Sequence, residues 1–493
     1  MIKRLPLIAT ALLFLCSSAR AQTATINWTN VHQQMDGWGA EDWAGTDPSF
    51  ERGSGGFVLN STEVGQFFST TSGIGLQFIR TRNYSCPTTG ACSVSTANVP
   101  DLVTLQLAVA FGAKVTVAVQ PPANLQTGGN FEAGTADPTS GSCVPFSNFG
   151  ALASFQVSWI QMLQANSVPV YDLEVANEPD LTTNSGGGCK WTAAGFDTYI
   201  KNYLGPAMAS AGLTTKIAMP QESGWFGSGL QSTCLTDSGC ASYVSIANSH
   251  GYGSGSQDGM GTSYCCHTAT APPADTAGKH VWMSETNGGF TYDATSALWL
   301  WDASMADALV WARSIHDYLT IGNVNAWFYW ELVDECAATF TGGCANGPLN
   351  DGLSISNGGA QSPVSLTFSK RYYTVGQWSK LVRNGYYRVD STLNPQAGVY
   401  VTAFRDVPSA TMVIVAVNKN SSNTSQGFSA TNAPSFSSLI PYVTSASLNL
   451  AAQTSTPVSN NSFAYALPAN SVTTFVGSAA TVQPPTNVVA TPH

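Results

Sequence analysis

Two short stretches decide the fold of this chain: Val-Ala-Asn-Glu-Pro-Asp at residues 175–180 and Trp-Met-Ser-Glu-Thr-Asn at residues 282–287. Each places a glutamate, Glu178 or Glu285, just after a short run rich in apolar, β-branched or aromatic residues. Such runs are typical of buried parallel strands, so both carboxylates are predicted to lie at the carboxyl ends of strands. A pair of carboxylates in that position suits retaining glycoside hydrolysis, with one as acid/base and the other as nucleophile.

Residues 1–21 have the pattern of a secretory signal peptide. Two basic residues precede the apolar segment Leu5–Cys16, which is too short to span a bilayer comfortably. Ala19-Arg20-Ala21 is a small-x-small cleavage site. We therefore expect a secreted protein, extracellular or periplasmic, with no membrane as partner.

The charge of the remaining chain excludes some partners. Removing residues 1–21 takes away Lys3, Arg4 and Arg20, which leaves 16 basic and 29 acidic residues and a net charge of −13 with histidine neutral. A surface with that balance argues against nucleic acid and anionic membranes as partners. The low charge and 11% aromatic content are typical of extracellular carbohydrate-active proteins, and we expect a monomer that binds a polysaccharide or oligosaccharide.

The cysteine count favours disulfides. Ten cysteines remain after the signal peptide: 86, 92, 143, 189, 234, 240, 265, 266, 336 and 344. The close pairs 86–92, 234–240 and 336–344 are predicted to be bonded, and a bond between Cys143 and Cys189 is plausible, while the adjacent Cys265 and Cys266 leave their pairing open. A metal site fits less well, because there is no repeated Cys-x-x-Cys and the histidines are scattered.

Strand-like and helix-like segments alternate through residues 35–383, which predicts a (β/α)₈ catalytic barrel. The predicted strands are 35–39, 75–80, 114–119, 170–176, 215–219, 259–264, 280–284 and 324–330. The predicted helices between them are 99–111, 149–166, 193–211, 240–250 and 302–321.

The pattern then changes to short alternating strands and polar turns, which predicts a side β-sandwich domain at residues 384–478. Its expected strands include 399–404, 411–417, 445–450 and 471–476. Residues 23–30 also alternate, and residues 22–34 are predicted to add an N-terminal strand to this domain. Residues 479–493 hold three prolines and no charged residue, as in a linker.

An ordered set of motifs resembles glycoside hydrolase family 30, in the clan of barrel glycosidases whose catalytic glutamates follow the fourth and seventh strands. The motifs are Asp36-Gly37-Trp38-Gly39-Ala40, Asn177-Glu178-Pro179, Trp282-Met283-Ser284-Glu285, the segment Lys370–Arg388, and Leu467-Pro468 with Ser471–Phe475. Together they span residues 23–477. The resemblance implies a xylanase-like enzyme that needs no metal or organic cofactor.

The resemblance assigns roles to the two glutamates and their neighbours. Glu178 would be the acid/base, and its pKa must be raised so that it holds a proton. Asn177 would bind the sugar 2-hydroxyl. Glu285 would be the nucleophile, with Arg80 lowering its pKa and orienting it, although an ion pair of structural importance is the alternative role for Arg80.

Further candidates for substrate contact are aromatic. Tyr264 or His267, after the predicted sixth strand, would lie beside the nucleophile. Trp330, which ends the eighth strand, would form a sugar platform. Trp38 and Trp43 near the first loop are candidates of the same kind, with core packing as the alternative for each.

Other carboxylates are weaker candidates. Asp172 and Glu174 lie within the strand before Glu178, where alternation buries them in the barrel or turns them toward the helices. Glu222 also lies near a predicted strand end, but it has no motif around it and is at most a substrate-binding residue.

Two departures from the family pattern bear on the substrate. Family members that require a glucuronate branch carry an arginine four residues after the platform tryptophan, where this chain has Asp334. A carboxylate there would repel a uronate, unless another cation such as Lys279 or Arg313 reaches the site. Val119 and Gln120 also stand where a tryptophan is usual. We therefore expect an endo-β-1,4-xylanase-like enzyme; the alternatives are a β-1,6-glucanase or galactanase, an exo-acting β-glycosidase, or a carbohydrate-binding protein on an inactive barrel.

Overall fold

The computed structural model describes residues 23–42, 58–83, 86–87, 89–127, 142–181, 189–225, 229–252, 278–287, 291–293, 298–300, 302–335, 352–356 and 366–479. The predicted signal peptide and nearly all of the tail lie outside these residues, as do Trp43, Tyr264, Cys265, Cys266, His267, Cys336 and Cys344. None of the helices in the described ranges is both long enough and apolar enough to cross a bilayer.

The strands follow one another along the chain in three groups. The first eight are β1 (Thr23–Gln34), β2 (Gly37–Glu41), β3 (Phe78–Arg82), β4 (Lys114–Ala118), β5 (Val170–Glu174), β6 (Lys216–Glu222), β7 (Val244–His250) and β8 (His280–Glu285). The next six are β9 (Thr291–Asp293), β10 (Leu298–Leu300), β11 (Ala326–Tyr329), β12 (Val333–Glu335), β13 (Ser354–Ser356) and β14 (Leu366–Phe368). The last nine are β15 (Tyr387–Ser391), β16 (Val399–Asp406), β17 (Thr411–Asn418), β18 (Thr424–Thr431), β19 (Ser438–Thr444), β20 (Ala451–Ala452), β21 (Thr456–Pro457), β22 (Ser462–Leu467) and β23 (Ser471–Ser478).

The helices lie almost entirely between the barrel strands. They are α1 (Ser61–Phe68), α2 (Leu102–Ala110), α3 (Phe149–Ala165), α4 (Ala193–Tyr199), α5 (Gly205–Ser210), α6 (Leu230–Thr236), α7 (Ser238–Ala241), α8 (Met305–Thr320) and α9 (Lys370–Ser379). A π-helical turn, Ile200–Leu204, joins α4 to α5, and short 3₁₀ turns occur at Thr96–Asn98, Ala123–Leu125 and Phe146–Asn148.

Eight parallel strands close the predicted barrel, in the order β11-β2-β3-β4-β5-β6-β7-β8. Alternate side chains point inward, and toward the amino ends of the strands the rings of Phe78, Trp282 and Phe328 fill the interior. Phe78 lies 5.1 Å from Trp282 and 5.4 Å from Phe328 between ring centroids. The lower barrel is therefore a packed core, and the opposite end is left for polar side chains.

The sixth barrel strand is not the predicted segment 259–264 but β7, Val244–His250, all of which lies within the predicted helix 240–250. It pairs with β6 on one side and β8 on the other, for example Ala247 with Met219 and with Val281. The segment is made largely of small residues that are buried on both faces, so it has no clear hydrophobic period. Pairing with two neighbouring strands decides its conformation.

The predicted helices 99–111, 149–166, 193–211 and 302–321 are present with slightly shifted ends. Helix α3 shows why they form, because Trp159, Ile160 and Leu163 are all buried, at helical spacing, in the layer between helix and barrel. Two predicted disulfides are also present, Cys86–Cys92 and Cys234–Cys240, and Cys143 is bonded to Cys189, a pairing that the sequence left open.

The side domain is a single sheet that curls over itself. Its strand order is β20-β19-β23-β17-β16-β15-β1-β18-β22, with β21 paired to β19. Phe475 on β23 nevertheless contacts Phe428 on β18 and Phe463 on β22, with ring centroids 5.2 and 5.1 Å apart. Strands that are distant in the order therefore face each other across an apolar core, which gives the sandwich its two layers.

One predicted strand of the side domain, 445–450, is a bend. The backbone N–H of Ser445 donates to the carbonyl of Leu448 at 3.0 Å, and the N–H of Leu448 donates to the Ser445 hydroxyl at 3.3 Å. Serine competes for backbone groups in this way, which favours turns over strands despite the alternating pattern.

Helices α8 and α9 hold the side domain against the barrel. The guanidinium of Arg313 on α8 lies 4.0 Å from the ring centroid of Tyr400. The side-chain amide of Gln377 on α9 donates to the hydroxyl of Thr444 at 2.8 Å and to the carbonyl of Val472 at 3.2 Å.

Candidate active site

Glu178 and Glu285 lie at the carboxyl ends of the fourth and seventh barrel strands. Glu178 follows β5 by four residues, and Glu285 is the last residue of β8. Their side chains come from strands that lie on different parts of the barrel wall, yet one carboxylate oxygen of each, together with a ring nitrogen of His250, lie within 4.8 Å of one another. The barrel thus brings together the two glutamates that the sequence singled out.

Glu285 is surrounded by hydrogen-bond donors. Its Oε2 accepts from Arg80 and from Nη2 of Arg82, the latter at 2.8 Å, and its Oε1 accepts from the hydroxyl of Tyr252 at 2.9 Å. Burial by itself raises the pKa of Glu285, but the positive charges of His250, Arg82 and Arg80, with the Tyr252 hydrogen bond, outweigh it and lower that pKa to about 2. Glu285 is therefore a carboxylate at any ordinary pH.

Glu178 has the opposite electrostatic environment. Burial raises its pKa, the nearby charge of Glu285 raises it further, and the hydrogen bond and charge of His250 oppose the rise without cancelling it. Its Oε1 lies 3.1 Å from Nδ1 of His250. Two carboxyls whose pKa values are displaced in opposite directions are what an acid/base and nucleophile pair needs.

Arg80 organises the floor of the site. It is fully buried, and its guanidinium donates to Glu174 at 2.6 Å, to Asn177 at 3.0 Å, and to Glu41 and Glu285. Asp172 and Glu174 are buried inside the barrel, which is one of the two positions expected for them. Arg80 thus contacts Glu285, and its role in orienting this glutamate stays a prediction.

Asn177 lies directly beside this arginine. Its amide oxygen accepts from Arg80, and its backbone carbonyl accepts from the side-chain amide of Gln120 at 3.2 Å. Gln120 is itself clamped by Asn83, which accepts from its N–H at 2.8 Å and donates to its carbonyl at 3.0 Å. The loop that carries Asn177 and Glu178 is therefore tied to the ends of β3 and β4.

Trp330 follows β11, the eighth barrel strand, at the mouth of the barrel. It is half-buried, and the guanidinium of Arg82 lies 4.8 Å from its ring centroid. Because Arg82 also donates to Glu285, this tryptophan and the candidate nucleophile contact the same guanidinium. That position is consistent with the predicted sugar platform.

Trp38 is a different case, and the prediction that it contacts sugar is wrong. It is fully buried on the outer face of β2, and its indole N–H donates to the carbonyl of Val382 at 2.9 Å. Gly37, Gly39 and Glu41 alternate with it, so the neighbouring positions face the barrel interior and Trp38 packs against the surrounding helices.

Sequence reasoning missed His250 and Tyr252. Because β7 was predicted as a helix, Tyr264 and His267 were assigned to the position after the sixth strand, and both lie outside the described residues. The residues that follow this strand beside Glu285 are His250 and Tyr252. A signal for them was present in His250-Gly251-Tyr252, but it could be interpreted only once β7 was recognised as a strand.

Two clusters in the described ranges bring three possible metal ligands within 4.8 Å of one another. One contains Asp197 with Cys234 and Cys240, whose sulfurs are bonded to each other. The other is formed by Glu178, His250 and Glu285, and Glu285 is already paired with two guanidinium groups. Their positive charge disfavours a cation at that position.

Searches for related proteins agree with this geometry. No family model matches the chain. Glucuronoxylanase XynC of Bacillus subtilis (strain 168) is 28% identical over 338 residues, which is 69% of this chain and 68% of that protein. The solved structure of Xyn30A, a glycoside hydrolase family 30 subfamily 8 xylanase from Clostridium acetobutylicum, superposes with a TM-score of 0.72 at 29% identity and covers 93% of this chain and 100% of that one.

A more distant likeness shows how widely the architecture is shared. The endo-β1,6-glucanase BT3312 superposes with a TM-score of 0.67 at 19% identity, with coverage of 93% of this chain and 94% of that one, which is a likeness of fold.

A closed parallel barrel with a side β-domain, and with two converging glutamates after its fourth and seventh strands, defines a barrel glycosidase. With the relatives above, the assignment becomes narrower. The relatives named above support glycoside hydrolase family 30, and within it the xylanase-like enzymes, as the group that this chain resembles.

Proposed function

We propose that this protein is a secreted endo-acting hydrolase of xylan-type β-glycans that works with net retention, with Glu178 as acid/base and Glu285 as nucleophile. The observation that carries the proposal is the pair of close carboxyls whose pKa values are shifted apart. One oxygen of each carboxyl lies within 4.8 Å of the other, which leaves little room for a water molecule between them. Inverting enzymes need that room, and their two carboxyls are about 6.5–9.5 Å apart.

In the first step, the Glu285 carboxylate attacks the anomeric carbon and the bond to the leaving oxygen breaks. Glu178 gives its proton to that oxygen, so the departing sugar leaves as an alcohol. The charge of Glu285 is already desolvated and held by Arg80, Arg82 and Tyr252, so no large rearrangement is needed as the ester forms.

In the second step, the Glu178 carboxylate takes a proton from water, and the water oxygen attacks the anomeric carbon as the bond to Glu285 breaks. Glu178 is thereby reprotonated and Glu285 is released as a carboxylate, so both groups are ready for another cycle. We propose that Asn177 binds the sugar through its amide and Trp330 through its ring face, and their positions beside Arg80 and Arg82 support these roles.

The proposed substrate rests on the relatives. Those named above are a glucuronoxylanase and a xylanase, whereas the β1,6-glucanase is similar at the level of fold. Linear β-1,4-xylan is therefore the first choice.

The test is product analysis of the purified protein on β-1,4-xylan, glucuronoxylan, β-1,6-glucan and β-1,6-galactan. Oligosaccharide ladders from the two xylans are expected. Preferred release from either β-1,6-linked polymer would overturn the choice of substrate, and release of single sugars from chain ends would overturn the endo action. The Glu285→Gln variant, assayed in parallel, excludes a contaminating enzyme.

A further inference from the structure

Gln221, on β6, connects three residues of the active site although no motif marks it. It is fully buried. Its side-chain oxygen Oε1 accepts from Nη2 of Arg80 at 2.8 Å and lies 2.8 Å from Nε2 of His250. Its backbone carbonyl accepts from the N–H of Glu178 at 2.9 Å.

The orientation of this amide follows from the chemistry of its partners. A guanidinium N–H can only donate, so the Gln221 atom beside Arg80 must be the oxygen. An amide oxygen can only accept, so Nε2 of His250 must carry a hydrogen and donate it to Gln221. Arg80 therefore orients Gln221, and Gln221 in turn selects the tautomer of His250.

The other ring nitrogen faces both carboxyls. Nδ1 of His250 lies 3.1 Å from Oε1 of Glu178 and 3.4 Å from Oε1 of Glu285. When Nε2 keeps its proton, a second proton lies between Nδ1 of His250 and Oε1 of Glu178. If Glu178 holds it, a neutral carboxyl faces a neutral ring. If His250 holds it, a carboxylate faces a charged ring.

We propose that Gln221 is a positioning residue that keeps a proton on Nε2 of His250, so that His250 and Glu178 together hold the proton delivered to the leaving group. The inference rests on the proposed role of Glu178 as acid/base. Gln221 need not touch substrate, because it acts through the imidazole.

The acceptor at Gln221 changes the pH at which Glu178 and His250 lose their shared proton. In the native arrangement, removing the shared proton leaves a bare Nδ1 lone pair facing the Glu178 carboxylate, which is repulsive. Without the acceptor at Gln221, the remaining proton can move to Nδ1 and donate to that carboxylate. Gln221 therefore delays the loss of the shared proton to higher pH.

The backbone supports a specific role for this position. Gln221 has a φ of +64° and Glu178 a φ of +45°, and neither residue is a glycine. Side chains other than glycine and asparagine seldom adopt this conformation, and clusters of such residues often mark functional sites. Here the two residues are joined by the hydrogen bond from the Glu178 N–H to the Gln221 carbonyl.

The first test reads the tautomer directly. In full-length protein with ¹⁵N-labelled histidine, the side-chain nitrogens distinguish the two tautomers, and a His250→Gln variant assigns the signal among the six histidines. In the wild-type protein, His250 is expected to carry its proton on Nε2. In Gln221→Met, once the ring has lost its second proton, the remaining proton is expected on Nδ1. Gln221→Glu keeps an acceptor for both Arg80 and Nε2 and is expected to preserve the Nε2 proton.

The second test is the pH profile of kcat/KM on xylan. In Gln221→Met the basic limb is expected to move to lower pH by about one unit, the effect of exchanging one hydrogen bond of ordinary strength. In Gln221→Glu the basic limb is expected not to move to lower pH. Activity on an aryl xyloside with a good leaving group, which needs no proton from Glu178, is expected to fall less than activity on xylan.

Gln377→Met is the matched control, because Gln377 is also fully buried and its amide bonds α9 to the side domain far from the catalytic glutamates. It is expected to lower the melting temperature without moving the basic limb. An unchanged His250 tautomer or an unmoved limb in Gln221→Met overturns the inference, and so does an equal loss on both substrates. Full activity of Glu178→Gln and Glu285→Gln would instead overturn the proposed function, while leaving the tautomer measurement valid.

Discussion

Nδ1 of His250 lies 3.1 Å from Oε1 of Glu178, and the same nitrogen lies 3.4 Å from Oε1 of Glu285. One imidazole therefore contacts both carboxyls, and the protonation of each depends on the other through it. Burial and the charge of Glu285 raise the pKa of Glu178, whereas His250, Arg82 and Arg80 lower the pKa of Glu285. A single proton is therefore held by Glu178 and His250 and not by Glu285.

Replacing either glutamate by glutamine is expected to remove most of the activity. Loss of general acid/base catalysis in Glu178→Gln should lower kcat on xylan by about 10²–10⁴-fold, and Glu285→Gln should lower it at least as much because no covalent intermediate can form. Steady-state kinetics on purified variants measures this, with circular dichroism to verify folding. Turnover close to that of wild type in either variant would refute its role.

Azide should distinguish the two roles. With Glu178→Ala, azide attacks the glycosyl-enzyme in place of water and gives a β-glycosyl azide. With Glu285→Ala, azide replaces the nucleophile and gives an α-glycosyl azide. Exchange of these two products between the variants would reverse the assignment.

The reaction is expected to retain the anomeric configuration, because the carboxyl oxygens lie within 4.8 Å of each other. Proton NMR of xylooligosaccharide hydrolysis should show the β-anomer first and the α-anomer only later, by mutarotation. If the α-anomer accumulates first, Glu285 is not a nucleophile and a water must act directly.

Removing the charge of Arg82 is expected to move the acid limb of kcat/KM to higher pH. Glu285 attacks only as a carboxylate, so activity is lost as pH falls through its pKa, which is about 2 in the native protein. Arg82→Met removes one of the cations that lower this pKa, so the limb should rise by about one unit. Arg82→Lys keeps the charge and should shift it less; an acid limb that stays in place in Arg82→Met would contradict the proposed electrostatics.

A glucuronate branch is expected not to be required for cleavage. Asp334 on β12 occupies the position at which the resemblance places an arginine in branch-dependent enzymes, and a carboxylate there repels a uronate. The cations considered as substitutes lie elsewhere: Lys279 precedes β8 at the amino end of the barrel, and Arg313 pairs with Asp317 and contacts Tyr400 of the side domain.

The measurement compares rates on linear xylooligosaccharides and on the same chains bearing one methylglucuronate. Similar rates on both are expected, with no fixed distance between the branch and the cut. Cleavage confined to the branched chains would show that a uronate is bound after all. Asp334→Arg, the matched variant, is expected to increase the preference for branched chains.

Arg371→Met is expected to destabilise the fold strongly without changing the chemistry. Arg371 on α9 is fully buried and donates to both oxygens of Asp307 on α8, at 2.7 and 2.8 Å, so its removal leaves an unpaired carboxylate in the core. Loss of one partner of a buried pair costs about 3–5 kcal/mol. Thermal or denaturant unfolding measures this, and the double variant Asp307→Leu/Arg371→Met should recover part of the loss.

Several features could be predicted from local sequence because they depend on nearby residues. The β-branched and apolar runs before Glu178 and Glu285 predict buried strands, and α3 shows an apolar face at helical spacing. Motif order then places the two glutamates after the fourth and seventh strands. The close cysteine pairs, 86–92 and 234–240, are also local features.

Other features depended on contacts between distant segments. The small residues of Val244–His250 have no clear period, and only pairing with β6 and β8 makes them a strand and brings His250 between the two glutamates. Tryptophan is a residue type that forms sugar platforms, but strand alternation turns Trp38 away from the barrel interior and toward the surrounding helices, where it is buried.

Short patterns in the sequence thus determined the fold class and the identity of the two glutamates, because hydrophobic periodicity and strand ends are local properties of the chain. The tertiary structure decided the electrostatics of the site. Arg80, Gln221 and His250 are separated by 141 and 29 positions along the chain, and their hydrogen bonds exist only because closure of the barrel places the ends of β3, β6 and β7 around one point. A hydrogen bond depends on distance and direction in space, which the spacing of residues along the sequence does not specify.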